Sequence, residues 1–248
     1  QQQQSIIMTL KSFVYFQPLD ALLESPDTRE CVEIDLLLEL SDAELPRIRR
    51  IYETYGKSAT KLKWSNWNQY SVSAATVVEL LNLLPSVEEI EFSSWNKEFS
   101  GTPPVNGINL PNLKSINISE CNSFILEFLA AALPDNTLES LNIQRVRDGD
   151  ANFSALITKQ NSIKDLDISG MDFSTAGPLQ ALKLSKFRAV IYKSDETYDT
   201  QVSFLKSVIS SQTELVHLDL LDDSAYSHTF VDDAMFAEII KLTKLQTL

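Results

Sequence analysis

The amino-acid sequence predicts an α/β solenoid in which short parallel strands form one face and mostly helical segments return along the other. Three observations lead to this prediction: an apolar spacing that recurs along the chain, a near-constant interval between its copies, and helical periodicity in the segments between them. In the stretch NSIKDLDISG, for example, Ile163, Leu166 and Ile168 are apolar and the residues between them are mostly polar. Because a single half-buried strand would look the same, the prediction depends on the recurrence.

The apolar–x–x–apolar–x–apolar spacing occurs eight times, and a ninth copy begins at Leu245 and Leu248. Successive copies start 28, 28, 26, 25, 25, 21, 31 and 30 residues apart, close to the period of about 20–29 residues that is typical of leucine-rich repeats. We therefore predict a leucine-rich-repeat solenoid (a horseshoe) with its parallel β-sheet on the concave face and mostly helices on the convex face. The complete triads are Cys31/Ile34/Leu36, Ala59/Leu62/Trp64, Val87/Ile90/Phe92, Leu113/Ile116/Ile118, Leu138/Leu141/Ile143, Ile163/Leu166/Ile168, Leu184/Phe187/Ala189 and Leu215/Leu218/Leu220. The strands are expected at 32–37, 60–65, 88–93, 114–119, 139–144, 164–169, 185–190 and 216–221.

The residue three places beyond each triad indicates how the chain leaves the strand. In leucine-rich repeats this position holds asparagine or cysteine, but here it is apolar in six of the seven repeats from Ala59 to Leu215. A polar residue often follows one place later, as at Asn96 and Asn122. We predict that large apolar side chains fill this layer of the core in place of an asparagine ladder. The apolar residues are Trp67, Trp95, Cys121, Val146, Met171 and Tyr192.

The segments between the triads supply the returning elements. Several of them place apolar residues at the i, i+3, i+4 spacing of one helical face. The segment 96–112 is rich in glycine and proline, so a loop or an extended strap is expected there. The segment 174–184 is short, which explains the 21-residue interval. Helices are expected within 45–57, 73–85, 124–134, 200–211 and 231–242, the last of them burying Phe236, Ile239 and Ile240.

Composition limits the class of partner. The chain of 248 residues carries a net charge of −13, which opposes binding to nucleic-acid phosphates and to anionic membrane surfaces. Cys31 and Cys121 are too few for a disulfide framework and favour a reducing, intracellular setting, cytoplasmic or nuclear. No apolar run is long enough to span a bilayer.

We expect residues 1–18 to form an N-terminal tail and residues 19–248 to form the repeat domain, truncated within its ninth repeat.

No motif for catalysis or cofactor binding is present. The sequence has no glycine-rich phosphate-binding loop, no zinc-protease motif and no serine-hydrolase motif. His217 and His228 are the only histidines, too few for the common metal sites and catalytic triads. The adjacent acids Asp222–Asp223 and Asp232–Asp233 are interpreted as a solvated turn and a helix N-terminus. We expect neither enzyme activity nor a bound metal or cofactor.

The polar residues within the triads define a candidate binding surface. Strand side chains alternate between the two faces of a sheet, so these residues should point away from the core. Their charges form bands of mostly one sign per strand around a neutral centre. Concave arrays of this kind are where solenoids usually bind, and we expect a protein partner there. The candidate partner-binding residues are Lys61, Lys63, Glu89, Glu91, Asn117, Asn142, Asp165, Asp167, Lys186, Arg188, His217 and Asp219; Glu33, Asp35, Ser115 and Ser140 complete the array.

Three phrases give the chain a family resemblance. LDALLESPDTRECVEIDL (19–36) has a Ser-Pro-x-x-Arg turn before the first strand, IYETYGKSATKLKWSN (51–66) joins a helix to a strand through Gly-Lys-Ser, and VVELLNLLPSVEEIEF (77–92) has Leu-Pro-x-Val-Glu between helix and strand. With these phrases the chain resembles the repeat region of F-box/leucine-rich-repeat proteins, especially the divergent insect type.

The resemblance implies a function. Proteins of that family are substrate receptors of cullin-based (SCF-type) ubiquitin ligases, in which the F-box binds the adaptor Skp1 and the repeats hold the substrate. No F-box helices lie in this chain, so a Skp1-type adaptor would bind only through a segment preceding residue 1. The alternative is a leucine-rich-repeat scaffold, sensor or effector domain, unrelated to ubiquitin, that binds a protein partner on its concave face.

Overall fold

A computed structural model of the chain describes residues 8–12, 31–37, 45–65, 72–96, 98–146, 150–169, 177–191, 198–222 and 231–248. In these ranges nine strands form one parallel sheet, and their order in the sheet is their order in the sequence. This topology is that of a leucine-rich-repeat solenoid and confirms the predicted fold class. The strands are β1 (Met8–Ser12), β2 (Cys31–Leu37), β3 (Lys61–Ser65), β4 (Glu89–Ser93), β5 (Ser115–Ser119), β6 (Ser140–Gln144), β7 (Asp165–Ser169), β8 (Lys186–Ile191) and β9 (His217–Asp222).

Eight of these strands match the predicted ones to within one residue at each end, whereas β1 was not predicted. It pairs in parallel with β2, with Leu10 opposite Ile34 and Ser12 opposite Leu36. The triad requires an apolar residue at the position that Ser12 occupies, so the search along the sequence missed this strand. The sheet therefore extends one strand into residues 1–18, the stretch assigned to the tail.

In the described residues six helices lie between strands, and a seventh follows β9. Ser73 shows why one of them begins where it does, because its hydroxyl accepts the backbone N–H of Thr76 at 3.0 Å and so caps the helix. All five predicted helices are present, and the short return of 174–184 contains a single helical turn. The helices are α1 (Leu45–Tyr55), α2 (Ala74–Leu81), α3 (Phe124–Ala132), α4 (Asp150–Lys159), α5 (Gly177–Gln180), α6 (Tyr198–Ser211) and α7 (Asp233–Ile239).

The apolar triad residues form continuous rows on the buried face of the sheet. The middle residue of each triad is paired in register with that of the next strand, as Leu62 is with Ile90 and Ile90 with Ile116. These side chains are buried in one cluster with the inner faces of the helices. Burying one such side chain contributes about 1.5–3 kcal/mol, and each repeat obtains this burial only from its neighbours.

Strands β4 to β9 begin with the same backbone contact to the strand before them. The carbonyl oxygen just ahead of one strand accepts two successive N–H groups from the next repeat, as Glu88 does from Lys114 and Ser115. The series ends with Gln246 and Thr247, which both donate to the carbonyl of Val216. Residues 245–248 thus begin a ninth copy of the pattern, as the sequence predicts.

The chain leaves several strands through a residue in the left-handed region. Ser94, Glu120 and Arg145 have φ angles of 57°, 55° and 52°, and each donates its N–H to the last residue of the following strand. The next residues along the chain, Trp95, Cys121 and Val146, are buried and confirm the predicted apolar layer. Trp67, Met171 and Tyr192 lie outside the described residues.

One step of an asparagine ladder is nevertheless present, one residue later than usual. The side-chain amide of Asn122 donates to the carbonyl of Asn96 at 2.9 Å. The apolar layer and this ladder step therefore coexist at adjacent positions, whereas the sequence predicted an apolar layer in place of a ladder.

The segment 98–112 is a strap, as predicted, and it replaces a helix between α2 and α3. Its backbone amides at Asn106 and Ile108 donate to the carbonyls of Ala131 and Ala132 at the end of α3. On its other side, Asn82 binds it twice, donating to the Gly107 carbonyl at 2.9 Å and accepting the Asn109 N–H at 2.7 Å. The strap therefore obtains from the two flanking helices the hydrogen bonds that a helix would make internally.

The predicted buried face of the last helix is wrong for two of its three residues. Ile239 is buried, but Phe236 and Ile240 are 54% and 66% exposed. The face that meets the core consists of Met235, Ile239 and Leu242, at the i, i+4, i+7 spacing of a helix. Phe236 and Ile240 each follow a residue of that face by one position, about 100° further around the helix.

Two buried glutamines close the connections from helix to strand. Gln160 is fully buried; its carbonyl oxygen accepts the N–H groups of Thr137 and Leu138, and its amide donates to the carbonyl of Pro134. Gln212 does the same with the N–H of Leu184 and the carbonyl of Leu179. Both therefore supply hydrogen bonds to main-chain groups of the preceding repeat.

Candidate partner-binding surface on the concave face

All twelve candidate residues lie on the concave face of the sheet, in two rows that run across the strands. The first row contains Lys61, Glu89, Asp165, Lys186 and His217, and the second contains Lys63, Glu91, Asn117, Asn142, Asp167, Arg188 and Asp219. In strands β3 to β6, residues of these rows are half-buried and alternate with fully buried residues. The strand geometry thus brings the twelve together on one surface.

The N-terminal half of this surface is a network of ion pairs between neighbouring strands. Lys61 Nζ lies 2.9 Å from Glu89 Oε1, and Lys63 Nζ lies 3.9 Å from Glu33 and 3.6 Å from Glu91. The hydrogen bond to Glu89 raises the pKa of Lys61 above its ordinary value. The bands of opposite charge therefore neutralise one another within the sheet.

The neutral centre of the surface consists of β5 and β6. The Asn117 amide donates to Glu89 Oε1 at 2.8 Å, so it is attached to the N-terminal network. Asn142 is different, because its side-chain oxygen has neither solvent-accessible surface nor a hydrogen-bond partner. An acceptor without a partner is costly in a protein interior, and this one lies in the middle of the candidate surface.

The C-terminal half contains a second ion-pair network. Lys186 Nζ lies 3.2 Å from Asp165 Oδ2. The Arg188 guanidinium lies between two carboxylates, with Nη1 3.6 Å from Asp167 Oδ2 and Nε 3.3 Å from Asp219 Oδ2. Asp167 is the most enclosed of these acids, since its side chain is 17% exposed and that of Asp219 is 54% exposed.

The environment of Asp167 combines burial with three local interactions. Burial is the main effect and raises its pKa, and the Asp219 carboxylate raises it further. The Ser169 hydroxyl, which donates to Asp167 Oδ1 at 2.5 Å, and the Arg188 guanidinium act in the opposite direction. The net direction is upward because removing the carboxylate from water outweighs its partners.

A groove of about 400 Å³ lies above this C-terminal half, over strands β5 to β9. Thr247 and Leu248 form part of its wall, because the chain returns to the edge of β9 and Thr247 bonds to Leu218. Lys61, Lys63, Glu89 and Glu91 lie outside the groove. The eight candidate residues that line it are Asn117, Asn142, Asp165, Asp167, Lys186, Arg188, His217 and Asp219.

Sequence reasoning missed two residues that contact the side chains lining this groove. Ser169 ends its strand at a position that the triad does not include, yet it contacts Asp167. Thr247 belongs to the ninth triad, which was recognised, but its contact with His217 Nδ1 at 3.1 Å depends on the strand edge where the chain returns. The ninth triad was the only signal for this wall of the groove.

Cys121 is buried in the core, and Asp232 caps a helix. Burial raises the pKa of the Cys121 thiol to about 12, and Asp232 caps α7 by accepting the Met235 N–H at 2.7 Å. No group of three or more His, Cys, Asp or Glu residues that could hold a metal ion occurs in the described ranges. Asp223 and His228 lie outside these ranges.

Two further results concern membranes and known families. In the part of the chain that the structure describes, no helix is both long enough and apolar enough to cross a lipid bilayer.

No protein-family model matches the chain. Among curated proteins, the receptor-like protein EIX1 of Solanum lycopersicum is 29% identical over 125 residues, covering 50% of this chain and 12% of that protein. The match therefore spans about an eighth of the length of that relative.

Solved structures of leucine-rich-repeat type are also similar to the chain. The leucine-rich repeat-containing protein LegL7 from Legionella pneumophila is 13% identical, with 96% of this chain and 98% of that chain covered and a TM-score of 0.39. A chain of the TLR13–ssRNA13 complex is 14% identical, with coverages of 87% and 38% and a TM-score of 0.28. Because both TM-scores are below 0.5, the fold assignment depends on the strand order and register of this chain.

Proposed function

We propose that this chain is a protein-interaction module that holds a partner protein on its concave face. The observation that carries the proposal is the groove of about 400 Å³ over β5–β9, which is lined by polar and charged side chains of five neighbouring strands. A concave, partly polar groove on a rigid sheet is a surface on which solenoids commonly bind. We also propose a reducing, intracellular setting, which the free, buried thiol of Cys121 supports.

The proposal is tested by obstructing the groove without removing a contact. Asn142 lines the groove, and its side-chain oxygen has no hydrogen bond to lose, so the indole of Asn142→Trp should fill the groove while circular dichroism verifies that the fold is kept. Asn161→Trp is the matched control, because Asn161 is exposed in the turn after α4. Residues 1–248 and both variants would be used as bait, and the retained proteins compared by quantitative mass spectrometry.

The expected result is one or more proteins retained by the wild type and by Asn161→Trp but lost with Asn142→Trp. Each would then be purified and its affinity for the three baits measured. An identical set of retained proteins for all three baits, with unchanged affinities, would move the binding site away from the concave face.

We further propose that the module is the substrate-recognition repeat region of an SCF-type ubiquitin ligase receptor. The support is the family resemblance in residues 19–36, 51–66 and 77–92. The Gly-Lys-Ser phrase has a packing role here: a Cβ on Gly56 would lie 2.4 Å from Leu84 Cδ2, and the Ser86 hydroxyl donates to the Lys57 carbonyl at 2.5 Å. These residues join neighbouring repeats, so a Skp1-type adaptor would have to bind elsewhere.

The test of this assignment is a longer chain that includes the natural sequence before residue 1, co-expressed with a Skp1-type adaptor. Co-elution of the two on size-exclusion chromatography is the expected result, and residues 1–248 alone should not co-elute with the adaptor. If the longer chain elutes without the adaptor, as residues 1–248 are expected to do, the ubiquitin-ligase assignment is wrong.

The alternative is a leucine-rich-repeat scaffold, sensor or effector domain outside the ubiquitin system. The observation in its favour is the match of half the chain to a receptor-like protein. Both alternatives use the same concave surface, so the Asn142→Trp experiment applies to each, and co-elution with the adaptor distinguishes them.

A further inference from the structure

We propose that the groove over β5–β9 accepts a basic side chain, preferably arginine, from an extended segment of the partner protein. This inference deepens the proposed concave-face function and rests on it. The proposal depends on which donors and acceptors of the groove already have partners, on the depth at which they lie, and on the charge of the molecule.

The cations of the groove are already engaged. Lys186 is paired with Asp165 at 3.2 Å, and Arg188 uses two of its nitrogens on Asp167 and Asp219. His217 contacts the Thr247 hydroxyl at 3.1 Å. An anionic ligand would have to displace carboxylates from these cations before it could bind them.

The acceptors, in contrast, are in excess. Three carboxylates face two charged nitrogen groups in the groove, and an ionised carboxylate has about four acceptor positions. Asp167 receives one hydrogen bond from Ser169 and one ion pair from Arg188, which leaves acceptor positions open. A ligand that brings N–H donors and positive charge complements this set.

The depth of the acceptors favours a long side chain. Asp167 is 17% exposed, whereas Arg188 and Asp219 beside it are 46% and 54% exposed. A donor group must therefore reach past the rim to contact the recessed carboxylate. Arginine is the better fit, because its planar guanidinium is weakly hydrated, which lowers the cost of entering an enclosed site, and it binds carboxylates through two parallel hydrogen bonds.

The charge of the whole molecule acts in the same direction. The chain carries a net charge of −13, so its field attracts cationic segments and repels phosphate-bearing ones. The two rows of the concave face contain seven carboxylates and only four Lys or Arg residues from Glu33 to Asp219. A basic partner segment is therefore attracted both at a distance and in the groove.

The experiment measures binding of small probes to residues 1–248 by amide NMR titration. The probe is N-acetyl-arginine N-methylamide, and its neutral counterpart is N-acetyl-citrulline N-methylamide, which has nearly the same shape without the charge. N-acetyl-glutamate N-methylamide tests the opposite sign. Asp167→Asn removes the recessed charge and keeps the acceptor for Ser169, and Asp135→Asn makes the same change in the exposed turn after α3.

We expect saturable shifts for the arginine probe at the amides of Asn142, Asp167 and Asp219. The citrulline probe should bind at least tenfold more weakly than the arginine probe. Asp167→Asn should lower the affinity for the arginine probe at least tenfold, and Asp135→Asn should leave that affinity unchanged. The proposal is overturned if the arginine probe shows no saturable shifts, if citrulline binds equally well, or if the glutamate probe binds more tightly.

The result can be separated from that of the proposed function. If Asn142→Trp loses a partner but the arginine probe does not bind, the concave-face function stands and the chemistry inferred for the groove is wrong. If the arginine probe binds but no partner depends on the groove, the chemistry stands and the proposed function fails. Circular dichroism of every variant verifies that the fold is intact.

Discussion

Replacing Gln160 by methionine should lower the free energy of unfolding by about 2–4 kcal/mol, although methionine has a similar volume and is more apolar. Gln160 is fully buried where α4 ends. Its side-chain oxygen accepts the N–H groups of Thr137 and Leu138 at 2.8 and 3.0 Å, and its amide donates to the Pro134 carbonyl at 2.6 Å. One side chain therefore satisfies three main-chain groups of the preceding repeat.

The magnitude follows from the groups that the substitution leaves without a partner. Leu138 is fully buried. Leaving its N–H without an acceptor therefore costs about 1–3 kcal/mol of stability. Thr137 and Pro134 are half-buried, so water replaces part of what they lose. Burying the more hydrophobic methionine side chain offsets about 1 kcal/mol of this destabilisation. Cavity formation adds little, because the volume is nearly conserved.

The assay is equilibrium urea unfolding followed by circular dichroism at 222 nm. The control is Gln246→Met, because Gln246 is exposed near the sheet edge, and it should change the stability by less than about 0.5 kcal/mol. An unchanged m value would show that the same surface is exposed on unfolding. If Gln160→Met lowers the free energy of unfolding by less than about 1 kcal/mol, the three hydrogen bonds contribute little to the stability of the fold.

Gly107→Ala should destabilise the protein by about 1–3 kcal/mol, because the new Cβ would lie 2.7 Å from the Pro104 Cβ. Gly177→Ala meets no atom within 4 Å and should be neutral or stabilising by up to about 1 kcal/mol; equal urea midpoints for the two variants would contradict this reading. Cys121, whose pKa is raised to about 12 by burial, should resist iodoacetamide at pH 8 in native buffer and react in urea, as judged by peptide mass spectrometry; native labelling would show that the site opens. Asp167→Asn should be no less stable than the wild type at pH 7, because burial is the main cause of the raised pKa of Asp167 and penalises its charge. The native state takes up this proton first as the pH falls, so the wild type should gain stability relative to the variant as the pH falls from 7 towards 3.8, the ordinary pKa of an aspartate; a relative loss over this range would show that the ion pairs dominate.

The repeats could be predicted from the sequence because the three apolar positions of the triad are the positions that the fold buries. A strand with one buried face needs apolar residues at fixed positions, and Leu62, Ile90 and Ile116 occupy such positions in register. β1 could not be predicted in this way, because Ser12 lies opposite Leu36, at the triad position where the search required an apolar residue. The exposed Phe236 was assigned to the core because a helical apolar stripe does not specify which of its edges meets the sheet.

The candidate surface could be predicted in its membership but not in its geometry. Strand alternation assigned the twelve residues to one face, whereas their pairing depends on side-chain lengths and on distances across strands. The banded charges of the sequence are in fact ion pairs, as Lys186 with Asp165 shows. The groove depends on Thr247 returning to the edge of β9, a tertiary contact without a local signature. Whether these residues bind a partner stays a prediction.

The repeating backbone contact at the strand starts has a consequence for how such an array changes through gene duplication. The carbonyls of Glu88 and Lys114 each accept two N–H groups from the next repeat only, so no contact of this type skips a repeat. The triads that begin at Leu113 and Leu138 head equal blocks of 25 residues with the same Ser–x–Asn pair. Duplicating or losing such a block would change the width of the sheet by one strand spacing, about 4.8 Å, and leave the remaining ladder intact. The distance between the two ion-pair networks is therefore a quantity that whole-repeat insertion adjusts in fixed steps.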